Sequence, residues 1–345
     1  MNVISGACDT SKKFNNIMKI FVTRQIPGEA LEKLKVNGNE VSISEFGRSL
    51  TPEELLEGIK GVDAVLCLLT DEIDGDVMDA AGPQLKIISN YAVGFDNIDV
   101  EAAGKRGIIV TNTPSDEVNE AVAEHTWALI LALARRIVEA DEATRHGAYK
   151  GWEPDIFIGT TLLGKTLGIV GLGRIGSMVA RRAQGYKMTL LYNKHEPDPA
   201  AEADLGVRFV SLDELLKESN FVSLHVPLTP ETRHMMNKVT FAKMKKGSFL
   251  INTSRGPVVD ERDLVDALAN AQIAGAALDV FDNEPNISPE LIDNPRVITT
   301  PHIASATWEA RNKMGEQAVA AIVDTLSGTK PQNMVDEKVW DIRRK

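Results

Sequence analysis

The chain has 345 residues, with 38 Lys and Arg against 49 Asp and Glu, so its formal net charge is −11 at pH 7. At about 150 residues per domain, this length suggests two domains. The acidic balance argues against binding to nucleic acid or to an anionic membrane surface, and we expect neither partner. Hydrophobic residues make up 43% and charged residues 25% of the chain, which excludes wholesale disorder.

The two cysteines, Cys8 and Cys67, are too few for a disulfide framework or a cysteine-rich metal site. They are compatible with a reducing cytoplasm, where we expect the protein. The sequence has neither the ~18 uninterrupted apolar residues of a membrane span nor the apolar core of a secretory signal. Residues 1–17 are polar and irregular, so we expect a disordered extension, with Met18 as an alternative start.

Short apolar runs alternate with helix-like segments in the first third of the chain. The apolar runs predict strands at residues 20–22, 62–69, 85–89 and 108–110. The segments between them predict helices at residues 28–35, 76–81 and 100–106 and another after Thr51, where Pro52 takes the first helical position. Alternating units of this kind predict a doubly wound parallel sheet.

The remainder of the chain predicts a second such block between long helices. Residues 116–146 indicate one long helix, because nothing in the apolar pattern breaks it. A second strand–helix series runs from Thr166 to about Thr300, and a last long helix from about Ser305 ends before Gly328. The predicted fold class is therefore α/β, with two Rossmann-like doubly wound parallel-sheet domains.

A glycine-rich turn follows the apolar run 167–170 and precedes a helix. A strand before G-x-G-x-x-G and a helix after it form the context in which this motif binds a dinucleotide. The glycines allow a tight turn, close approach of a pyrophosphate and close packing of helix on strand. The alternative is a glycine-rich turn without a ligand. The predicted coenzyme residues here are Gly171, Leu172, Gly173, Arg174, Ile175 and Gly176.

The next strand ends near the position of the ribose-binding acid of NAD enzymes, about 20 residues after the glycines. This chain has Asn193, Lys194 and His195 there instead of a carboxylate. Lys194 and His195 could meet the 2′-phosphate of NADP, so we predict NADP in preference to NAD. Glu196 and Asp198 lie just beyond and weaken the argument, and a solvated loop without a ligand remains the alternative.

Three titratable or charged residues each come just after a predicted strand. Arg255 follows residues 249–252, Glu284 follows 277–281 and His302 follows 297–300. Open α/β sheets bind ligands at this carboxyl edge, so we also assign Thr253, Ser254 and Asp279 to the coenzyme site. Hydride transfer to a carbonyl needs a proton donor, which histidine supplies near neutral pH. Singly, His302 could be a surface histidine and Arg255 a structural ion-pair partner.

We predict no metal site. Hydride transfer needs no metal, and the six histidines show no ligand spacing with cysteine or carboxylates. These histidines are His125, His146, His195, His225, His234 and His302.

From Met18 to about Val335 the chain resembles the D-isomer-specific 2-hydroxyacid dehydrogenase family, and within it the glyoxylate/hydroxypyruvate reductases. The motifs that carry the resemblance are NYAVGFDNID (90–99), GLGRIG (171–176), VSLHVPLTPETRHMMN (222–237), INTSRGPVVDE (251–261), GAALDVFDNEP (275–285) and TPHIASAT (300–307). The sequence departs from the pattern of NAD-dependent members at Lys194, where they carry Asp.

The resemblance implies roles for several residues. It implies that Arg255 binds the substrate, that His302 is the acid/base and that Glu284 is its partner. It implies that the Val93 and Gly94 N–H groups hold the substrate carboxylate beside Leu69. It further implies a substrate domain at 18–115 plus 308–335, an NAD(P) domain at 116–307 and a homodimer built on the latter, where Trp152 could reach the neighbouring subunit's site.

The implied activity is NAD(P)H-dependent reduction of a small 2-oxo acid, of the glyoxylate or hydroxypyruvate type, to the D-2-hydroxy acid. Other reactions of the family remain open: 2-ketogluconate reduction and the oxidation of phosphite or D-3-phosphoglycerate. An inactive nucleotide-binding regulator is a further alternative, which the presence of Arg255, Glu284 and His302 disfavours.

Overall fold

The computed structural model describes residues 17–345. The predicted disordered extension, residues 1–17, therefore lies outside the described residues except for Ile17, which is exposed. The chain divides into two compact units. Unit 1 comprises the described residues up to Pro114 together with Asn312–Lys345, and unit 2 is Ser115–Arg311.

Unit 1 contains a five-stranded sheet in which every pairing is parallel. Its strands are β1 (Lys19–Val22), β2 (Glu40–Ile43), β3 (Ala64–Leu68), β4 (Ile87–Tyr91) and β5 (Ile109–Thr111). Their order is β2-β1-β3-β4-β5, the flavodoxin-like order of doubly wound sheets. The four strands predicted from apolar runs are confirmed as β1, β3, β4 and β5. The half-exposed edge strand β2 has no continuous apolar run and was not predicted.

Short helices connect these strands. They are a 3-10 helix (Ala30–Gly38), α1 (Pro52–Gly58), α2 (Gly75–Ala81) and α3 (Val100–Lys105). The predicted start of α1 is confirmed, because Thr51 and Glu54 form a reciprocal capping box. The Thr51 side chain accepts from the Glu54 N–H at 3.3 Å, and the Glu54 carboxylate accepts from the Thr51 N–H at 2.8 Å.

Unit 2 contains a seven-stranded sheet, which is also entirely parallel. Its strands are β6 (Thr166–Val170), β7 (Thr189–Asn193), β8 (Val207–Phe209), β9 (Phe221–Leu224), β10 (Ser248–Asn252), β11 (Ile273–Leu278) and β12 (Val297–Thr299). The order β12-β11-β10-β9-β6-β7-β8 is the Rossmann order with one added strand. The strand order reverses between β6 and β9, which is where such sheets bind ligands.

Helices cover this sheet. They are α4 (Asp116–Ala134), α5 (Ile137–Arg145), α6 (Arg174–Ala183), α7 (Pro199–Leu205), α8 (Leu212–Glu218), α9 (Lys238–Lys243), α10 (Glu261–Ala269) and α11 (Pro289–Ile292), with 3-10 turns at Gln184–Tyr186 and Gly256–Val258. Two buried clusters surround the sheet, one containing Trp127 and Tyr192 and the other Phe241 and Phe281.

The prediction of a single long helix over residues 116–146 is wrong, and the segment forms two helices. It divides into α4 and α5 at Arg136, which has a left-handed φ of 52°. The Ala134 carbonyl accepts from the Thr160 N–H at 2.8 Å, and Gly159 packs so close to it that a Cβ would lie 2.3 Å from that oxygen. A segment distant in sequence therefore takes the carbonyl at the end of α4.

The chain returns to unit 1 within α12 (Trp308–Leu326) and ends with α13 (Val339–Ile342). The predicted domain ends at Val335, but the residues beyond it also pack on unit 1. The Arg344 guanidinium donates to the carbonyl groups of Arg106, Gly82 and Leu85 at 2.8–3.1 Å. No helix in the described part of the chain has the length and apolar character needed to cross a bilayer.

Candidate active site

The turn after β6 contains two glycines that internal packing requires and one that faces open space. Gly171 has a φ of +95°, and a Cβ there would lie 2.6 Å from the His225 carbonyl oxygen. A Cβ on Gly176 would lie 2.4 Å from the Gly171 oxygen. A Cβ on Gly173, by contrast, would meet no atom within 4 Å. Packing therefore does not explain Gly173, whereas the approach of a pyrophosphate does.

The N-terminus of α6 completes this turn. The N-cap is Gly173, which provides no side chain to accept from the first N–H groups of the helix. Leu172 is buried and Ile175 half-buried, while Arg174 is exposed at the first helical position. Uncapped N–H groups and the positive end of the helix dipole suit a phosphate. The turn and helix therefore fit the pyrophosphate of a dinucleotide.

His225, for which the sequence predicts no role, directly follows β9 and lies beside this turn. Its N–H donates to the Val170 carbonyl at 2.8 Å, and its Nε2 lies 2.8 Å from Ser223 Oγ. Burial lowers the pKa of His225 to about 4, so the ring is neutral at pH 7. The sequence signal that could have revealed it is its position, one residue after a strand that neighbours β6.

The loop after β7 holds the residues predicted to meet the ribose. The Asn193 amide donates to the Val210 carbonyl at 2.9 Å. Lys194 Nζ lies 3.2 Å from Asp198 Oδ2, and His195 is exposed. The Lys194 charge is thus already paired, by a carboxylate that also caps the start of α7. This pairing weakens the attraction that Lys194 can exert on a 2′-phosphate.

The predicted acid/base pair is assembled in unit 2. His302 Nδ1 lies 2.8 Å from Glu284 Oε2, and Glu284 Oε1 accepts from the Phe281 N–H at 2.9 Å. His302 has a left-handed φ of 53°, and its N–H donates to the Asp279 carbonyl at 2.9 Å. With Nδ1 bound to a carboxylate, Nε2 is the ring nitrogen that can exchange a proton with a substrate.

Asp279 anchors the loop that carries this histidine. Its carboxylate is fully buried and accepts from the N–H groups of Ile303 and Ala304 and from Thr300 Oγ1 at 2.6–2.9 Å. His125 Nε2, on α4, lies 3.4 Å from Asp279 Oδ1. Burial opposes the charged form, but these hydrogen bonds together lower the pKa of Asp279. Its predicted contact with the coenzyme stays a prediction, since the carboxylate already has these internal partners.

The segment after β10 is shaped by Asn252, a buried amide to which the sequence analysis gave no role. Its Oδ1 accepts from Ser254 N and Oγ at 3.0 and 2.8 Å, and its Nδ2 donates to the Arg255 carbonyl at 2.9 Å. A Cβ on Gly256 would lie 1.8 Å from the Phe281 oxygen, so only glycine permits this backbone contact. The contact places the Arg255 segment directly against the segment that leads to Glu284.

Two neighbouring predicted residues have internal partners of their own. The Arg255 guanidinium donates to the Ser254 carbonyl at 2.8 Å. Thr253 is buried, and its Oγ1 lies 2.9 Å from Thr126 Oγ1. Arg255, Glu284 and His302 thus all lie at the carboxyl edge of the sheet that also carries the glycine turn.

In unit 1, asparagine amides organise the loops that contain the predicted substrate residues. Leu69 directly follows β3, while Val93 and Gly94 follow β4. Asn112 Nδ2 donates to the Val93 carbonyl at 2.7 Å, and Asn90 Nδ2 to the Gly94 carbonyl at 2.9 Å. Among residues 17–345, no hydrogen bond uses the Val93 or Gly94 N–H, so both donors remain available to a ligand.

The chain is similar to several known proteins over most of its length. A family model for the D-isomer specific 2-hydroxyacid dehydrogenase NAD binding domain matches residues 127–304. The glyoxylate reductase of Thermococcus kodakarensis is 46% identical over 330 residues, which cover 94% of this chain and 98% of the relative. A solved structure from Thermus thermophilus has a TM-score of 0.87 and 44% identity, covering 92% of this chain and 100% of that one.

A third similar protein was solved with ligands. It is the NADPH-dependent glyoxylate/hydroxypyruvate reductase of Sinorhizobium meliloti, in complex with NADP and malonate. Its TM-score is 0.82 at 32% identity, with 96% of this chain and 99% of that chain covered.

These findings confirm the predicted family, the predicted pair of parallel α/β units and the predicted enzyme class, and they support a nicotinamide dinucleotide as coenzyme. The chain therefore belongs to the D-isomer specific 2-hydroxyacid dehydrogenase family.

Proposed function

We propose that this protein uses NAD(P)H to reduce glyoxylate to glycolate or hydroxypyruvate to D-glycerate. The observation that carries the proposal is the His302–Glu284 pair, 2.8 Å apart, on the sheet edge that also carries the open glycine turn. The similarity to glyoxylate reductases over 94% of the chain supports the choice of substrate.

In this proposal His302 supplies the proton of the reduction. The coenzyme, when bound, supplies the hydride that the carbonyl carbon receives. His302 Nε2 gives its proton to the carbonyl oxygen, so an alcohol forms and the ring becomes neutral. Glu284 fixes the ring by accepting a hydrogen bond from Nδ1. In the reverse direction His302 accepts the proton of the alcohol.

Two separate sets of groups, one in each unit, are proposed for binding the substrate. A guanidinium can hold a carboxylate with paired hydrogen bonds, which is the role proposed for Arg255. In unit 1, the available N–H groups of Val93 and Gly94, beside Leu69, are proposed to bind a substrate carboxylate. Residues 18–115 with 308–335 then form the substrate domain, and residues 116–307 the coenzyme domain.

We propose that the enzyme prefers NADPH to NADH, with NADH still usable. Lys194 and His195 follow β7 without a carboxylate at the strand end, which favours a 2′-phosphate. The Lys194–Asp198 ion pair reduces this advantage. We therefore expect only about a fivefold to tenfold preference.

A homodimer built on unit 2 is supported by exposed apolar side chains. Trp152 is 82% exposed, and Tyr149, Ile158 and Leu163 are each at least 60% exposed. Such a surface is typical of a protein–protein contact. Light scattering of the purified protein tests this, and a monomer at all concentrations would contradict it.

The decisive test is a substrate panel run with both coenzymes. It contains glyoxylate, hydroxypyruvate and 2-ketogluconate for reduction, and phosphite and D-3-phosphoglycerate for oxidation. We expect the highest kcat/KM for glyoxylate or hydroxypyruvate and a D-configured product from hydroxypyruvate. A higher value for any other member would replace the proposed substrate, and inactivity with all of them would favour the regulator.

A further inference from the structure

The start of α10 is bonded to the segment that carries Glu284. Glu261 is the first residue of this helix and is half-buried. Its Oε1 accepts from the Asp282 N–H at 2.8 Å. The helix itself is capped by Asp260, whose carboxylate accepts from two N–H groups of the first turn. The Glu261 side chain is therefore not needed as the cap and serves a different segment.

A second contact to the same segment comes from Gly256, five residues before Glu261. Gly256 lies so close to the Phe281 carbonyl that no side chain fits between them. Gly256 and Glu261 thus hold the backbone of Phe281 and Asp282 from one side. The Phe281 N–H then donates to Glu284 Oε1, which leaves Oε2 directed to His302. This series of contacts connects α10 to the acid/base pair.

The surroundings of Glu261 are predominantly acidic. Asp260, Asp282 and Glu284 all act on it electrostatically. Burial, together with these carboxylates, raises the pKa of Glu261, and the Asp282 N–H opposes the rise. His234 is a nearby titratable base, with ring nitrogens 3.8 Å from an Asp260 oxygen and 3.8 Å from an Asp282 oxygen.

We propose that Glu261 is a positioning residue for the Glu284–His302 pair. Its hydrogen bond to Asp282 fixes the turn from which Glu284 reaches His302, and its negative charge helps to keep His302 protonated. The inference rests on the role of His302 in the proposed function, and it adds a residue that acts on the pair from outside, through the Asp282 turn and through its charge.

Three variants separate the hydrogen bond from the charge. Glu261→Ala removes the acceptor, and we expect kcat for glyoxylate to fall about tenfold at pH 6, the usual effect of losing a charged hydrogen bond. Glu261→Gln keeps an acceptor oxygen and should retain kcat within about twofold at that pH. Asp282→Asn is the matched control, because it removes a neighbouring carboxylate but keeps the backbone N–H.

The pH dependence of kcat reports the effect of the Glu261 charge. With Glu261→Gln, the decline of kcat at rising pH should move to lower pH by about 0.3 units, since one nearby negative charge is lost. Asp282→Asn should give a shift in the same direction without the tenfold loss of kcat that Glu261→Ala shows. The KM for the coenzyme should not change in any variant.

An NMR titration separates this inference from the proposed function. The His302 Cε1–H signal, identified among six histidines by its loss in His302→Ala, reports protonation whatever the enzyme reduces. A midpoint lowered in Glu261→Gln supports the inference even if no 2-oxo acid is turned over. An unchanged midpoint, or equal losses of kcat in the Ala and Gln variants, overturns it. If Glu261→Ala does not fold, the Gln midpoint decides alone.

Discussion

Two loops of unit 2 that carry predicted site residues differ in how firmly the rest of the protein holds them. The His302 loop (Thr300–Ala304) follows β12, and the ribose loop (Lys194–Asp198) follows β7. The buried Asp279 carboxylate holds the His302 loop through two N–H groups and a hydroxyl group. In the ribose loop, the predicted cation forms a single, partly exposed ion pair.

The difference reflects how much geometry each task requires. Proton transfer requires a histidine placed within hydrogen-bond reach of the reacting oxygen. The left-handed backbone of His302 costs about 1–3 kcal/mol, which the hydrogen bonds to Asp279 offset. Choosing between two coenzymes needs only a modest difference in charge, and an exposed ion pair can supply this.

The strongest test of this comparison replaces the histidine of each loop by alanine. His302→Ala should lower kcat by about 100-fold to 10,000-fold, because it removes the positioned acid. His195→Ala, in the exposed ribose loop, should change kcat for reduction less than about twofold. Steady-state kinetics at pH 6 to 8 measures both, and near-normal turnover by the His302 variant would remove its assigned role.

Asp279→Asn tests whether the His302 loop depends on a buried charge. We expect a loss of about 3 kcal/mol of unfolding free energy at pH 7, because Asn cannot replace a carboxylate that accepts several hydrogen bonds. Urea unfolding measures this loss. Asp198→Asn in the ribose loop is the control, and it should be neutral because Asn caps a helix as well as Asp does.

The pH dependence follows from the lowered pKa of Asp279. A carboxyl whose pKa is lower in the folded state stabilises the protein above its unfolded pKa, near 3.9, and this contribution is lost as pH falls through the folded value. The stability difference between the wild type and Asp279→Asn should therefore shrink as the pH falls below about 4. A constant difference over this range would contradict the assignment.

Glu284→Gln has a smaller expected effect, on the pH profile. In the proposed reaction, reduction consumes a proton of His302, and the Glu284 carboxylate accepts a hydrogen bond from the same ring. Without the charge, the decline of kcat/KM with rising pH should move to lower pH by about one unit. Gln can still accept from the Phe281 N–H, so kcat at pH 6 should change little. Identical profiles would show that Glu284 does not act on His302.

The smallest effect belongs to the ribose loop. The wild type should prefer NADPH over NADH by about fivefold to tenfold in kcat/KM. Lys194→Asp should reverse the order, because a carboxylate accepts from the 2′-hydroxyl of NADH and repels a 2′-phosphate. A clear NADH preference of the wild type would show that Glu196 or Asp198, rather than Lys194, determines the choice.

The sequence by itself determined the fold class and the edge of the sheet on which the candidate site residues lie. Apolar runs predict buried parallel strands, and the carboxyl ends of such strands meet at one edge. Arg255, Glu284 and His302 each follow a strand, so their common location could be predicted before any contact was known. The glycine turn was equally predictable, because its spacing reflects backbone geometry within a few residues.

Only the tertiary structure decided which partners these residues have. Asp279 meets the His302 loop about 25 residues later, Lys194 pairs with Asp198 rather than remaining free, and Thr160 ends α4 at Ala134. None of these contacts follows from local periodicity. Asp279 and Thr160 contact segments that are distant in sequence, and the Lys194–Asp198 pair depends on the conformation of an irregular loop. The burial and hydrogen bonds that adjust a site's charges arise from such contacts, and a strand-by-strand pattern contains no information about them.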